Sequence, residues 1–140
     1  MANLKILARI LATRLNSHLE QGILPESQCG FRENRGTIDM IFAVSQLQEK
    51  CQEQNLPLYA TFVDLTKAFD TVSCQGLWKI MAKFGCPPKF TSLVRQFHQG
   101  MQAQVLDGDA QSESFAVVNG VKQGCALAPT LFSMMFTAML

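Results

Sequence analysis

Leu4, Leu7, Leu11, Leu15 and Leu19 recur in steps of three and four, a spacing that predicts an amphipathic helix. Gly22 and Pro25 end it, and the polar residues 26–36 read as a loop. A second helix is expected from Thr37, with Asp39 favourably placed in its first turn. Ile38, Ile41, Val44, Gln48 and Cys51 mark its expected buried stripe, which fades into a Gln-rich end at Asn55. From Leu58 to Val63 nearly every position is apolar or small, the pattern of a short strand covered on both faces, and it runs straight into Asp64. Ser73 is the expected cap of a third helix carrying Leu77, Ile80, Met81 and Phe84. Gly85 and Pro87-Pro88 stop that helix and pre-set a fourth, with Leu93, Val94 and Phe97, closed by Gly100. Met101 to Leu106 and Phe115 to Val118 alternate as strands of a hairpin around Asp107-Gly108. Asn119-Gly120 starts another turn, and Pro129 opens a last helix. With no repeat and no linker, the fold class is α+β.

Composition adds two constraints. The 140 residues carry a net charge of +1, so no global field recruits nucleic acid or an anionic membrane. Hydrophobic residues make up 48% and charged residues 16%, against the ~25% charge of an ordinary soluble domain. That balance excludes disorder and points to surface meant to be covered by something else. Five cysteines without a C-x-x-C read as reduced thiols of an intracellular protein, and two histidines give no framework for structural zinc. The acid-free stretch from Met1 to Leu19 is also how a mitochondrial presequence reads, but a packed first helix explains the same residues more simply. The uncharged tail from Gln123 to Leu140 approaches the length of a membrane span. Gly124 and Pro129 interrupt it, so a turn and a core helix are expected, and no membrane association.

Three strings could carry chemistry. A carboxylate at the end of a buried strand is costly unless hydrogen bonds or a cation compensate it, so Asp64 either caps the following turn or holds a metal such as magnesium. A haloacid-dehalogenase-like nucleophile would need an acid two positions on, where Thr66 stands. The second string runs from Gly120 to Pro129. Its glycines allow close backbone approach to a ligand, Lys122 is the only charge, and Gln123 both donates and accepts. By itself it also reads as a turn leading into a helix. In the third, Gln28 to Gly36, two arginines beside Phe31 could clamp phosphate or stack on a base, or form a solvated loop. Asp107-Gly108-Asp109 is accounted for by a hairpin turn.

In this order the strings resemble the reverse transcriptase of non-LTR (LINE-type) retrotransposons, over essentially the whole chain. Ala12-Thr13-Arg14-Leu15, the run from Pro25 to Arg32, Arg35-Gly36-Thr37 and Asp39 resemble the family's fingers segment. Phe62 to Asp70 is similar to polymerase motif A, and Gly120 to Gly124 with Leu127 and Pro129 to motif B, where the family often has serine at the place of Ala128. The resemblance implies a partial fingers–palm fold: helices packed on a small, mainly antiparallel sheet, with residues 1–57 fingers-like and 58–140 an incomplete palm. It implies template-directed DNA synthesis on RNA with two Mg2+ ions, and RNA template, DNA primer and dNTP as partners. By position, Asp64 is implied as catalytic metal ligand with the Leu65 carbonyl. Phe69 is implied as the plate beneath the incoming sugar, Gln123 and Gly124 as the lining of the nucleotide pocket, and Arg32 as a contact to the triphosphate.

The family's motif C, a Tyr/Phe-Ala-Asp-Asp turn that supplies further catalytic carboxylates, occurs nowhere in these residues, and neither do thumb or endonuclease regions. Two adjacent Mg2+ ions held by Asp64, a carbonyl and phosphates would repel each other, so magnesium binding is expected to be weak or absent. The isolated chain is accordingly expected to be inactive, with a missing C-terminal half of the polymerase as a further partner. An alternative is a non-catalytic protein that binds nucleic acid or a partner through the Arg32/Arg35 loop. A retroelement remnant that does not fold alone is a third reading.

Overall fold

The computed structural model of the chain describes residues 2–122 and 124–140. Helix α1 spans Ala2–Leu19, α2 Thr37–Glu53, α3 Cys74–Lys83, α4 Pro88–His98 and α5 Ala128–Met139. Between α4 and α5, β1 (Gln102–Ala103) pairs antiparallel with β4 (Phe115–Ala116), and β2 (Leu106–Asp107) with β3 (Ala110–Gln111). These two short ladders form one interrupted hairpin, turned at Gly108, whose φ of +58° suits a tight hairpin turn. Among the described residues the architecture is α+β, five helices with two small antiparallel sheets.

Local signals set the helix ends. The Ser73 hydroxyl accepts the Gly76 N–H at 3.2 Å, capping α3, and Pro88 occupies the first turn of α4. Asp39 reaches back to accept the Gly36 N–H at 2.6 Å at the start of α2. α3 packs between α4 and α5, and α5 also packs on α1. Leu15 and Leu19 of α1, Leu77 and Met81 of α3, Val94 of α4, and Leu131 and Met134 of α5 form one buried cluster with Val72, Val121 and Leu127. His18 Nε2 and the Phe84 carbonyl oxygen lie 2.7 Å apart and tie the end of α1 to the end of α3. All five cysteines are free thiols, and burial pushes those of Cys74 and Cys86 above the ordinary thiol range. No helix among the described residues is long and apolar enough to cross a membrane.

Three expectations fail. Leu4 and Leu7 are exposed, so the buried stripe of α1 starts only at Ala8. α2 forms but buries nothing: Ile38 is 82% and Ile41 61% exposed. Residues 56–65 form no strand and lie exposed, with Phe62 at 88%. One physical difference explains the last two. A helix closes its hydrogen bonds internally and stands without cover, whereas a strand exists only beside a partner, and no described segment lies alongside 58–63 to pair with it.

Candidate functional site

The three strings singled out in the sequence meet in space. Residues 66–71 form a tight turn closed on the Lys67 carbonyl, which accepts the Asp70 N–H at 3.0 Å and the Thr71 N–H and hydroxyl, both at 3.1 Å. Lys67 itself takes a left-handed φ of +54°, a conformation that a non-glycine residue holds only when its surroundings enforce it. The far side of this turn is stitched to the second string. The Gly120 N–H donates to the Val72 carbonyl at 2.8 Å, and the Val121 N–H to the Phe69 carbonyl at 2.9 Å. Gly120 is needed at this seam. Its φ is +92°, and a Cβ there would lie 2.8 Å from the Asp70 carbonyl oxygen and 3.0 Å from its Cα.

The third string arrives through aromatic rings. Phe69 lies 4.8 Å from Phe132 of α5 and 5.8 Å, edge-on, from Phe31 of the 25–36 loop. Such pairs contribute roughly 0.5–1.5 kcal/mol each beyond their buried area. The Ser133 hydroxyl donates to the Gly30 carbonyl at 3.1 Å, and the Thr130 hydroxyl to Asn16 Oδ1 at 2.7 Å. Helix α5 thereby holds both the loop and α1. Phe31 and Asn34 both adopt positive φ, so the loop has a defined, strained shape.

Asp64 lies near the end of the exposed segment and is itself exposed. It takes no hydrogen bond or ion pair among the described residues, and the turn that follows closes on Lys67 instead, so Asp64 does not act as its cap. Leu65 is beside it, 40% exposed. Gly124, at φ +83°, faces open space, and Gln123 lies outside the described residues. Arg32 is committed within the loop. Its Nε and Nη2 donate to Glu20 at 2.9 and 2.6 Å, and Nη1 donates to the carbonyls of Pro25 and Gln28 at 2.9 and 3.0 Å. Arg35 pairs with Glu26 at 2.7 Å. Each arginine holds its glutamate below the ordinary carboxylate range, chiefly through the hydrogen bond.

Magnesium requires about six oxygen donors in octahedral array and is usually anchored by one or two carboxylates. Asp64 and the Leu65 carbonyl could offer two donors, and no group of three His, Cys, Asp or Glu among the described residues could hold a metal ion. By this donor set the described residues do not fit a two-metal centre. Sequence reasoning passed over Glu20 and Phe132. Phe132 carried no separable signal, but Glu20 did: an acid just past the C-terminus of α1 faces the negative end of the helix dipole and needs a compensating cation.

A model of the reverse transcriptase (RNA-dependent DNA polymerase) family matches residues 1–140. The chain is 33% identical, over 138 residues, to the retrovirus-related Pol polyprotein of the type-2 retrotransposable element R2DM of Drosophila melanogaster, a match covering 94% of the chain and 12% of that relative. It is 32% identical over 135 residues to the RNA-directed DNA polymerase from mobile element jockey of Drosophila funebris, covering 96% of the chain and 14% of the relative. A third match, 31% identical over 129 residues, is a probable RNA-directed DNA polymerase from transposon X-element of Drosophila melanogaster, covering 91% and 14%. The chain thus spans about an eighth of the length of these relatives. A seam joining the string after Asp64 to the string from Gly120, the 25–36 loop docked on the same aromatic cluster, and a family match from end to end converge: the chain belongs to the reverse transcriptase family, among the non-LTR retrotransposon polymerases.

Proposed function

We propose that these residues are the nucleotide-facing part of an RNA-directed DNA polymerase and that they do not polymerise by themselves. One observation carries this reading: the backbone seam that locks Phe69–Val72 onto Gly120–Val121, because it holds the two motifs in register. On this reading residues 1–57 are fingers-like and 58–140 an incomplete palm. Asp64, with the Leu65 carbonyl, contributes to binding Mg2+. Phe69 supports the incoming sugar, Gln123 and Gly124 line the nucleotide pocket, and Arg32 meets the triphosphate. RNA template, DNA primer and dNTP are the partners.

The inactivity of the chain alone is supported by its donor set, since the remaining carboxylates must come from another segment or another polypeptide. The exposed apolar residues 56–65 support the same view, because their unpaired backbone is suited to receiving a strand. A purely binding role for the Arg32/Arg35 loop has less support, since the loop is docked through Phe31 onto Phe69 of the string that begins at Asp64.

The test is magnesium-dependent extension of a DNA primer on an RNA template. The chain alone is expected to give no more product than Asp64→Ala, and extension that this substitution abolishes overturns the proposed inactivity. Adding a polypeptide that carries a Phe/Tyr-Ala-Asp-Asp turn is expected to produce extension, with Asp64→Ala slower by roughly a thousandfold. Equal extension by both chains removes Asp64 from the site. Salt-sensitive RNA binding that survives Asp64→Ala but not Arg32→Ala would favour the binding role instead.

A further inference from the structure

Glu20 sits where an acid is disfavoured, its N–H donating to the Asn16 carbonyl at 2.9 Å in continuation of α1. Its one evident compensation is Arg32. The two halves of that pair are unequal, because the Glu20 side chain is 41% exposed and that of Arg32 5%. Arg32 is the fixed half, also held by the Pro25 and Gln28 carbonyls, and the carboxylate is the half free to leave. Beside the pair lies a cavity of about 460 Å3, lined also by Thr13, Asn16, Ser17 and Phe31. Carboxylate and phosphate oxygens engage a guanidinium through the same forked geometry, so whichever anion is present takes the same edge.

We infer that Glu20 is a built-in competitor for Arg32: it occupies the guanidinium edge that a polyphosphate would take, and so sets how tightly the site holds a nucleotide's phosphate tail. This rests on the reading that Arg32 meets the triphosphate. Binding is an exchange of ion pairs in which the Glu20 carboxylate turns out to solvent and the phosphate oxygens replace it, with no covalent change. The pair between Arg35 and Glu26 on the same loop differs, because its arginine side chain is itself exposed.

Isothermal titration of inorganic tripolyphosphate into the 140-residue chain tests the inference, with near-UV circular dichroism to verify folding. Glu20→Gln is expected to tighten binding about tenfold, Glu20→Asp by less, and Arg32→Ala to abolish it. Glu33→Gln, which removes a charge from the same cavity without touching Arg32, is expected to change little. If Glu20→Gln disturbs the near-UV spectrum, Glu20→Asp decides. No gain from the Glu20 variants, or an equal gain from Glu33→Gln, overturns the competitor role. Binding by Arg32→Ala equal to that of the wild type shows instead that Arg32 does not meet phosphate.

Discussion

Helices α2 and α5 both carry apolar side chains, yet they end in opposite environments. α5 buries Ala128, Thr130, Leu131, Ser133 and Met134 between α1 and α3. α2, five residues longer (17 against 12), buries none of its residues. Thr130 and Ser133 are instructive, because each is hydrogen-bonded across to another element and so tolerates burial. An amphipathic pattern therefore states that a face is to be covered without stating by what. In α5 the cover lies within this chain, and in α2 it does not lie among the described residues.

Substitutions should separate the two helices sharply. Leu131→Ala, at a fully buried position, is expected to cost about 2–5 kcal/mol in urea denaturation. Gly120→Ala comes next, at about 1–3 kcal/mol for the left-handed backbone, more if the Asp70 backbone cannot yield. A smaller effect comes from acid. Arg32 lowers the Glu20 carboxyl, so the stabilisation by this pair is fully present above the ordinary glutamate value of about 4.3 and is lost as pH falls through the lower folded value. For so exposed a carboxylate the contribution is roughly 0.2–1 kcal/mol, measured as a stability gap between wild type and Glu20→Gln that closes on acidification. Ile41→Ala on α2 is expected to change stability by less than about 0.5 kcal/mol. In hydrogen exchange, α2 amides should exchange well before those of α5, because a lone helix of this length is marginal in water. A cost above 2 kcal/mol at Ile41, or equal protection of both helices, would erase the contrast.

Much of this was legible in the sequence because the signals are local. Ser73, Gly85, Pro88 and Pro129 fix helix ends within a few residues of themselves, and those elements form as expected. The Leu58–Val63 run misled because a strand is a property of two segments, and only one was in view. Asp64 stood out as a carboxylate ending an apolar run, and its surroundings proved open instead of buried. The partner of Arg32 lies twelve residues back across a turn, a pairing that no periodicity marks. The meeting of Phe31, Phe69 and Phe132 depends on packing between elements distant in the chain.

A single base change converts a glycine codon to alanine, and at position 120 that one methyl group would press on the Asp70 backbone. Such a lesion would leave the aspartate run and the basic loop intact and change only the first residue of the stretch leading to Pro129. What would be lost is their latching together, which no string records. A copy of this gene can therefore keep nearly every letter of its recognisable strings and still be broken at its hinge pin.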